Sequence, residues 1–369
     1  MLGVLSALTL CLLPPAQAET LGGEQLASLH RTVSLEPGAQ PLPEVWAETW
    51  ILADAETGEV LAQKGSHARR APASTLKMLT ALAVMPNTTP EDTYIATRRA
   101  ANIYGARVGL KAGRPYTLDQ LWYAVFLPSA NDAAVAVAQA NGGVRKTVRQ
   151  MNEVARDLNA LDTHAKNTSG LDAPGQLSSA YDLALLARAG LQRPDFATYA
   201  GTARAQFPDV KGKGSHPIYT TNRLLLSGWR GVIGVKTGFT SKAGRTYVGA
   251  ATRGGRTLIV SLMGIKESSE AAAKKLLSWG FTNADSVTPI GTLVEAGPIT
   301  PDSGAATTTV SQDGSPAAGG TGVQASGETV TPSTPLAVPI GGALLLAGLV
   351  GGAVVWIRRS RPGPGRHVA

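Results

Sequence analysis

The chain has 369 residues, 43% of them hydrophobic and 16% charged, with a formal net charge of +8. Its one cysteine, Cys11, lies near the start, which excludes a disulfide framework and a cysteine nucleophile in the bulk of the chain. Half of the positive excess comes from Arg358, Arg359, Arg361 and Arg366, so the rest is weakly basic and carries no compact stripe for a nucleic-acid partner.

Residues 1–18 read as a cleaved export signal. Residues 5–13 are apolar, and Ala16-Gln17-Ala18 fits the small-x-small cleavage pattern. Pro14-Pro15 would stop a buried helix at once. Leu10, ahead of Cys11, is not small, so no lipoprotein site is read there. Residues 19–44 form a loosely patterned lead segment. Residues 45–297 are the globular part, long enough to bury a large core.

Residues 46–53 and 59–63 read as two strands around a turn ending in Gly58. A helix is expected over 74–85, stopped by Pro86. A helical run over 118–127 breaks at Pro128, an almost wholly apolar and therefore buried helix follows over 132–139, and another over 144–158. Ser179-Ala180-Tyr181-Asp182 has the form of a capping box opening a helix to Leu191. Three strand-like runs follow at 232–236, 246–252 and 257–263, then a helix over 269–279 ended by Gly280. Two early strands, a block of helices and three late strands predict an α/β (α+β) fold. Its antiparallel sheet is built from both chain ends and packed beside a helical lobe.

Residues 298–335 are mostly Gly, Ser, Thr, Ala, Val and Pro, too poor in apolar area to offset chain entropy, and read as a flexible stalk. As a coil it would span about 35 Å. Residues 336–357 carry no charge and match the roughly 20 residues that cross a bilayer core. Arg358, Arg359 and Arg361 then predict a cytoplasmic basic tail over 358–369. The expectation is a single-pass membrane protein with its globular part outside the cytoplasm.

Three short motifs carry chemistry. In Ser74-Thr75-Leu76-Lys77, helical spacing sets the Lys77 amine beside the Ser74 hydroxyl. A serine hydroxyl needs a base to become a nucleophile, and a lysine serves only with a lowered pKa. By itself Ser74 is equally well a helix cap. Ser129-Ala130-Asn131 lies at a break between two buried helices, where Ser129 can relay a proton and Asn131 can bond a peptide amide; alone, it reads first as a turn in a helix–loop–helix connection. Lys236-Thr237-Gly238 ends a strand-like run, with Lys236 able to meet a carboxylate and Gly238 leaving room for a substrate backbone.

The set S-x-x-K, S-x-N, K-T-G occurs in the order found in penicillin-binding proteins and class A β-lactamases. From about residue 45 to 285 the sequence resembles the D-alanyl-D-alanine carboxypeptidases, the low-molecular-mass penicillin-binding proteins. The resemblance includes the runs 70–74, 128–132, 167–171, 179–183 and 222–223, the motif 236–238, and 274–281. It implies a penicillin-binding/β-lactamase-like domain with no cofactor and no metal. The implied substrates are the stem peptides of bacterial peptidoglycan, with β-lactams as inhibitors. Ser74 would attack the bond between two terminal D-alanines, with Lys77 as base and Ser129 relaying the proton. Asn131 and the Lys236-Thr237-Gly238 segment would hold substrate, Lys236 and nearby Arg223 anchoring its carboxylate. The backbone N–H groups of Ser74 and Phe239 would form the oxyanion hole. Many relatives have His where this chain has Phe239, and some have an arginine where it has 266–269 without one. A β-lactamase is disfavoured because Ala155 stands where the deacylating glutamate belongs. A non-catalytic sensor is disfavoured because it need not retain Ser74, Lys77 and Lys236 together.

Overall fold

The structure is a computed structural model that describes residues 20–209 and 213–297. The expected signal, stalk, membrane helix and tail (1–18, 298–335, 336–357 and 358–369) lie outside the described residues. Among the described residues no helix is long and apolar enough to cross a membrane.

The chain opens with β1 (Arg31–Leu35), β2 (Thr49–Asp54) and β3 (Val60–Lys64). A 3-10 turn, Ala73–Leu76, leads into α1 (Lys77–Val84). A small hairpin of β4 (Thr93–Ile95) and β5 (Pro115–Thr117) brackets the short α2 (Arg98–Ala101). The helical lobe continues with α3 (Leu118–Phe126), α4 (Asn131–Ala140), α5 (Val144–Asp157), α6 (Ala180–Leu191) and α7 (Pro194–Gly201). A second hairpin, β6 (Arg204–Pro208) and β7 (Ser215–Tyr219), precedes α8 (Arg223–Leu226). Then come β8 (Val232–Thr240), β9 (Gly244–Arg253), β10 (Arg256–Ile265), α9 (Ser269–Asn283) and β11 (Val287–Thr288).

The main sheet runs β11-β1-β3-β2-β10-β9-β8, with every neighbouring pair antiparallel. The expected union of early and late strands is therefore its centre, where β2 pairs with β10. All six residues of β2 are buried, because both faces of the sheet are covered. Side chains alternate between those faces. Ile51 and Ala53 join the core against the helical lobe, while Trp50 and Leu52 join the core against α9.

Three features depart from the sequence reading. Residues 19–44, expected as a loose lead, supply β1, which pairs with β3 and β11. Its partly exposed Arg-Thr-Val-Ser-Leu run has too little apolar content to announce a strand. The helix expected from Ser74 starts as a 3-10 turn, with Ala73 at φ +49° and the α-helix proper beginning at Lys77. Gly280 does not end the last helix, which continues to Asn283. A Cβ at Gly280 would stand 2.7 Å from Leu258 Cδ1 and 3.1 Å from Leu52 Cδ2, so glycine is needed there for α9 to lie close on the sheet.

One buried acid lies away from the cleft. Asp182 is 1% exposed on α6; its Oδ2 accepts from Thr163 Oγ1 at 2.7 Å, while Oδ1 has no partner among the described residues. Burial pushes its carboxyl up to about 7, with the Asp162 charge adding and the Thr163 bond opposing. A raised folded pKa gives stability that is present below the ordinary value near 3.8 and lost as pH rises through 7. Asp182→Asn removes that loss. Thermal melts should therefore show the variant's Tm gaining on the parent's between pH 4 and pH 8; a constant difference would refute the assignment.

Candidate active site

Ser74 and Lys77 meet, but not as two residues of one α-helix. The 3-10 turn lifts Ser74 into the cleft wall while Lys77 begins α1, fully buried. Lys77 Nζ lies 2.9 Å from Ser74 Oγ and donates to Asn131 Oδ1 and to the Ser169 carbonyl, both at 2.7 Å. Burial holds the Lys77 amine well below its usual range, and the nearby Lys236 charge adds to this against the opposing pull of Asp132. A neutral amine has two N–H donors and one lone pair. In that neutral form, with Asn131 and Ser169 accepting its two N–H groups, the lone pair is left for Ser74, whose hydroxyl also lies 3.4 Å from the Ser169 carbonyl.

The Ser169 carbonyl is the part that sequence reasoning missed. The run Asn167-Thr168-Ser169-Gly170-Leu171 was evident, but a backbone acceptor carries no residue-type signal. Asn167 Oδ1 shapes this loop by accepting from the backbone N–H groups of Ser169 (3.1 Å) and Gly170 (2.9 Å). Gly170, at φ +82°, packs so tightly that a Cβ would stand 1.8 Å from the Ala73 carbonyl. The loop is thus pressed directly against the backbone of the nucleophile.

Ser129 and Asn131 sit where α3 gives way to α4. Ser129 adopts φ +61°, and its buried Oγ has no hydrogen-bond partner among the described residues. Asn131, expected to bond substrate, is 3% exposed and already engaged. Its Oδ1 accepts from Lys77, and its Nδ2 donates to the Tyr104 carbonyl at 2.9 Å. In this structure it positions the lysine. The adjacent Asp132 accepts from the backbone N–H groups of Val108, Gly109 and Leu110, fixing the loop that forms this side of the cleft.

The third motif lies on β8, at the edge of the sheet. Lys236 is 1% exposed and donates to the Thr237 carbonyl at 2.9 Å. Burial lowers its ammonium to about 7. It lies behind the cleft wall and does not present a cation to the open cleft as expected. The Thr237 and Thr221 hydroxyl oxygens are 2.6 Å apart. A Cβ on Gly238 would stand 2.7 Å from the Ser74 nitrogen and 2.4 Å from Thr246 Oγ1, so the strand can lie against the nucleophile only with glycine there. Arg223, expected beside Lys236, is instead drawn toward Glu270, with Nη1 3.7 Å from Oε1.

A cleft of about 570 Å³ joins these elements; Ser74, Ser129, Arg223, Thr237, Gly238 and Phe239 line it. Lys77, Asn131 and Lys236 form a buried layer behind that wall. The arrangement sets one hydroxyl beside a desolvated amine, a second hydroxyl without a partner among the described residues nearby, and a strand edge unpaired among the described residues alongside.

The family model described as D-alanyl-D-alanine carboxypeptidase matches residues 36–267. D-alanyl-D-alanine carboxypeptidase DacB2 of Mycobacterium tuberculosis is 39% identical over 251 residues, covering 66% of this chain and 85% of that protein. DacD of Escherichia coli is 35% identical over 260 residues, and the matched part covers 66% of each chain. A crystal structure of the D-alanyl-D-alanine carboxypeptidase from Mycobacterium tuberculosis is similar with a TM-score of 0.66 and 37% identity, over 70% of this chain and 99% of that one. The Streptomyces K15 DD-transpeptidase is similar with a TM-score of 0.63 and 27% identity, over 66% of this chain and 100% of that one.

Proposed function

The chain belongs to the D-alanyl-D-alanine carboxypeptidase family, and from that membership we propose how its cleft removes the terminal D-alanine of a peptidoglycan stem peptide. It is a serine hydrolase of the penicillin-binding type. Ser74 attacks the carbonyl between the two D-alanines while the neutral Lys77 amine takes its proton. The observation that carries this reading is the 2.9 Å approach of Lys77 Nζ to Ser74 Oγ within a fully buried set of acceptors. Desolvation favours the uncharged amine, the form a general base requires.

The tetrahedral oxyanion is received by the backbone N–H groups of Ser74 and Phe239. Gly238 lets them approach each other. The unpartnered Ser129 hydroxyl passes the proton from Lys77 to the departing D-alanine nitrogen. Water then attacks the acyl-enzyme carbonyl, Lys77 taking its proton and returning it to Ser74 Oγ as the ester bond breaks and the shortened peptide leaves. Lys236, buried beside this relay, lowers the Lys77 pKa through its charge. A β-lactam carbonyl meets the same serine and forms the corresponding adduct.

The test incubates the full-length protein with a peptide ending in two D-alanines and, separately, with labelled penicillin. Released D-alanine and a long-lived adduct, both lost in Ser74→Ala, are expected. Rapid penicillin turnover would assign a β-lactamase instead, and an adduct without D-alanine release would assign a sensor. We further propose that residues 1–18 export the chain and 336–357 hold it in the cell membrane. The chain should then be found in the membrane fraction, and a version ending at residue 335 in the soluble one; unchanged fractionation would refute the anchor.

A further inference from the structure

Two separate segments close on the nucleophile turn. A Cβ on Gly170 would stand 1.8 Å from the Ala73 carbonyl oxygen and 3.0 Å from the Ser74 nitrogen, and one on Gly238 would stand 2.7 Å from that same nitrogen. The first segment, loop 167–172, brings the Ser169 carbonyl that holds Lys77. The second, the end of β8, brings the Phe239 N–H assigned above to the oxyanion.

The two segments are not equally well held. Asn167 Nδ2 and Gln176 Nε2 both donate to the Leu171 carbonyl, at 2.8 and 2.6 Å, which fixes the loop up to the residue before Asp172. Among the described residues β8 is paired on one side only, and its last residue in the hydrophobic core is Val235. Asp172 ties the second segment to the first. Its Oδ1 accepts from Thr240 Oγ1 at 2.7 Å, and its Oδ2 accepts from the Lys242 backbone N–H at 3.4 Å. Thr240 Oγ1 in turn accepts from the Ala243 N–H at 3.0 Å, so one hydroxyl closes the β8–β9 turn and carries the tie. Among the described residues, the two bonds to Asp172 are the only hydrogen bonds that join 239–243 to anything outside the β8–β9 hairpin. Neither Asp172 nor Thr240 lines the cleft, so the pair reaches the reaction only through the strand it holds.

We propose that Asp172 is a positioning residue for acylation: it braces the end of β8 against loop 167–172 and so keeps the Phe239 N–H in place beside Ser74. This rests on the reading of Ser74 as nucleophile given above. A shift of the strand end moves an oxyanion donor away from where the charge develops, which slows the chemical step without removing a contact to substrate.

The test measures acylation of the full-length protein by labelled penicillin over a range of concentrations. Asp172→Ala should lower the limiting acylation rate at saturation by about 5- to 20-fold, near the lower end for a lost bond to a charged group because the pair meets solvent. The concentration giving half the limiting rate should change less than 2-fold. Asp172→Asn keeps an acceptor oxygen for Thr240 and should recover most of the rate. Thr240→Val should match Asp172→Ala, and the double variant should be no more than about 2-fold slower than either, because the two residues act as one coupled pair. An unchanged limiting rate in Asp172→Ala, a loss confined to the half-saturating concentration, additive losses in the double variant or no recovery in Asp172→Asn would each overturn the proposal and leave Ser74 as nucleophile. If the parent is not acylated, the underlying reading falls and this proposal with it. Melting temperatures within about 3 °C of the parent, expected for an exposed pair, separate positioning from loss of fold.

Discussion

Lys77→Met is expected to lower kcat/KM for D-alanine release by about 10²- to 10⁴-fold, the range lost with a general base. Methionine keeps the length and apolar stem of the lysine but removes the group 2.9 Å from Ser74 Oγ. Two acceptors, Asn131 Oδ1 and the Ser169 carbonyl, lose their donor, at about 1–3 kcal/mol each. That cost is opposed by no longer burying an amine. The variant should therefore fold, and melting curves would confirm it before kinetics are compared. The pH profile provides the more specific readout. The base works when unprotonated, so the parent rate should rise with pH through the Lys77 pKa, at a pH well below 10.5. The variant should lack that rising limb. A variant that keeps both limb and rate would require another group to take the Ser74 proton.

Gly238→Ala is expected to reduce acylation by about 10²- to 10³-fold, comparable to losing one oxyanion donor. The added methyl group would stand 2.7 Å from the Ser74 nitrogen, 2.4 Å from Thr246 Oγ1 and 3.0 Å from Ala73 Cβ. Two of these three neighbours belong to the nucleophile turn, so the strand or the turn has to move. A displacement of about 1 Å at a catalytic centre is enough for a loss near 100-fold. Stability should fall less, because β8 is paired on one side only and the end of the strand that carries Gly238 lies beyond its core residue Val235. The measurement is the rate of penicillin adduct formation on the folded variant. A parent-like rate would show that the closeness of β8 to Ser74 is not needed for chemistry.

How far the site could be read in advance depends on which atoms make it. Ser74, Lys77, Ser129 and Lys236 are side chains of distinctive type at short spacings, and those spacings pointed to them. The Ser169 carbonyl is a backbone atom 92 residues from Lys77, and no residue-type pattern encodes a long-range backbone acceptor. Gly170 and Gly238 belong to motifs visible in the sequence. What they make room for is a second segment pressing against each, which only the packed chain shows. Asn131 was legible as a polar group in the cleft, but its partner was not. Lys77 takes its Oδ1 because α1 and α4 bury both side chains together.

The same division holds for the fold. The central strands were legible because burial on both faces demands continuous apolar runs, and the helical block because it is long and periodic. The partly exposed strand β1, one place in from the end of the sheet, and the short hairpins were not, since few of their side chains enter a core. By itself the sequence determined the reaction class, through three motifs in one order, and the α/β arrangement, through the succession of strands and helices. Tertiary structure alone decided the electrical state of the site. Whether a lysine is a base or a cation depends on how completely its amine is removed from water and on which charges share its surroundings. Burial turns Lys77 toward the base and withdraws Lys236 from the open cleft. Long-range packing sets that burial, and local spacing carries no record of it.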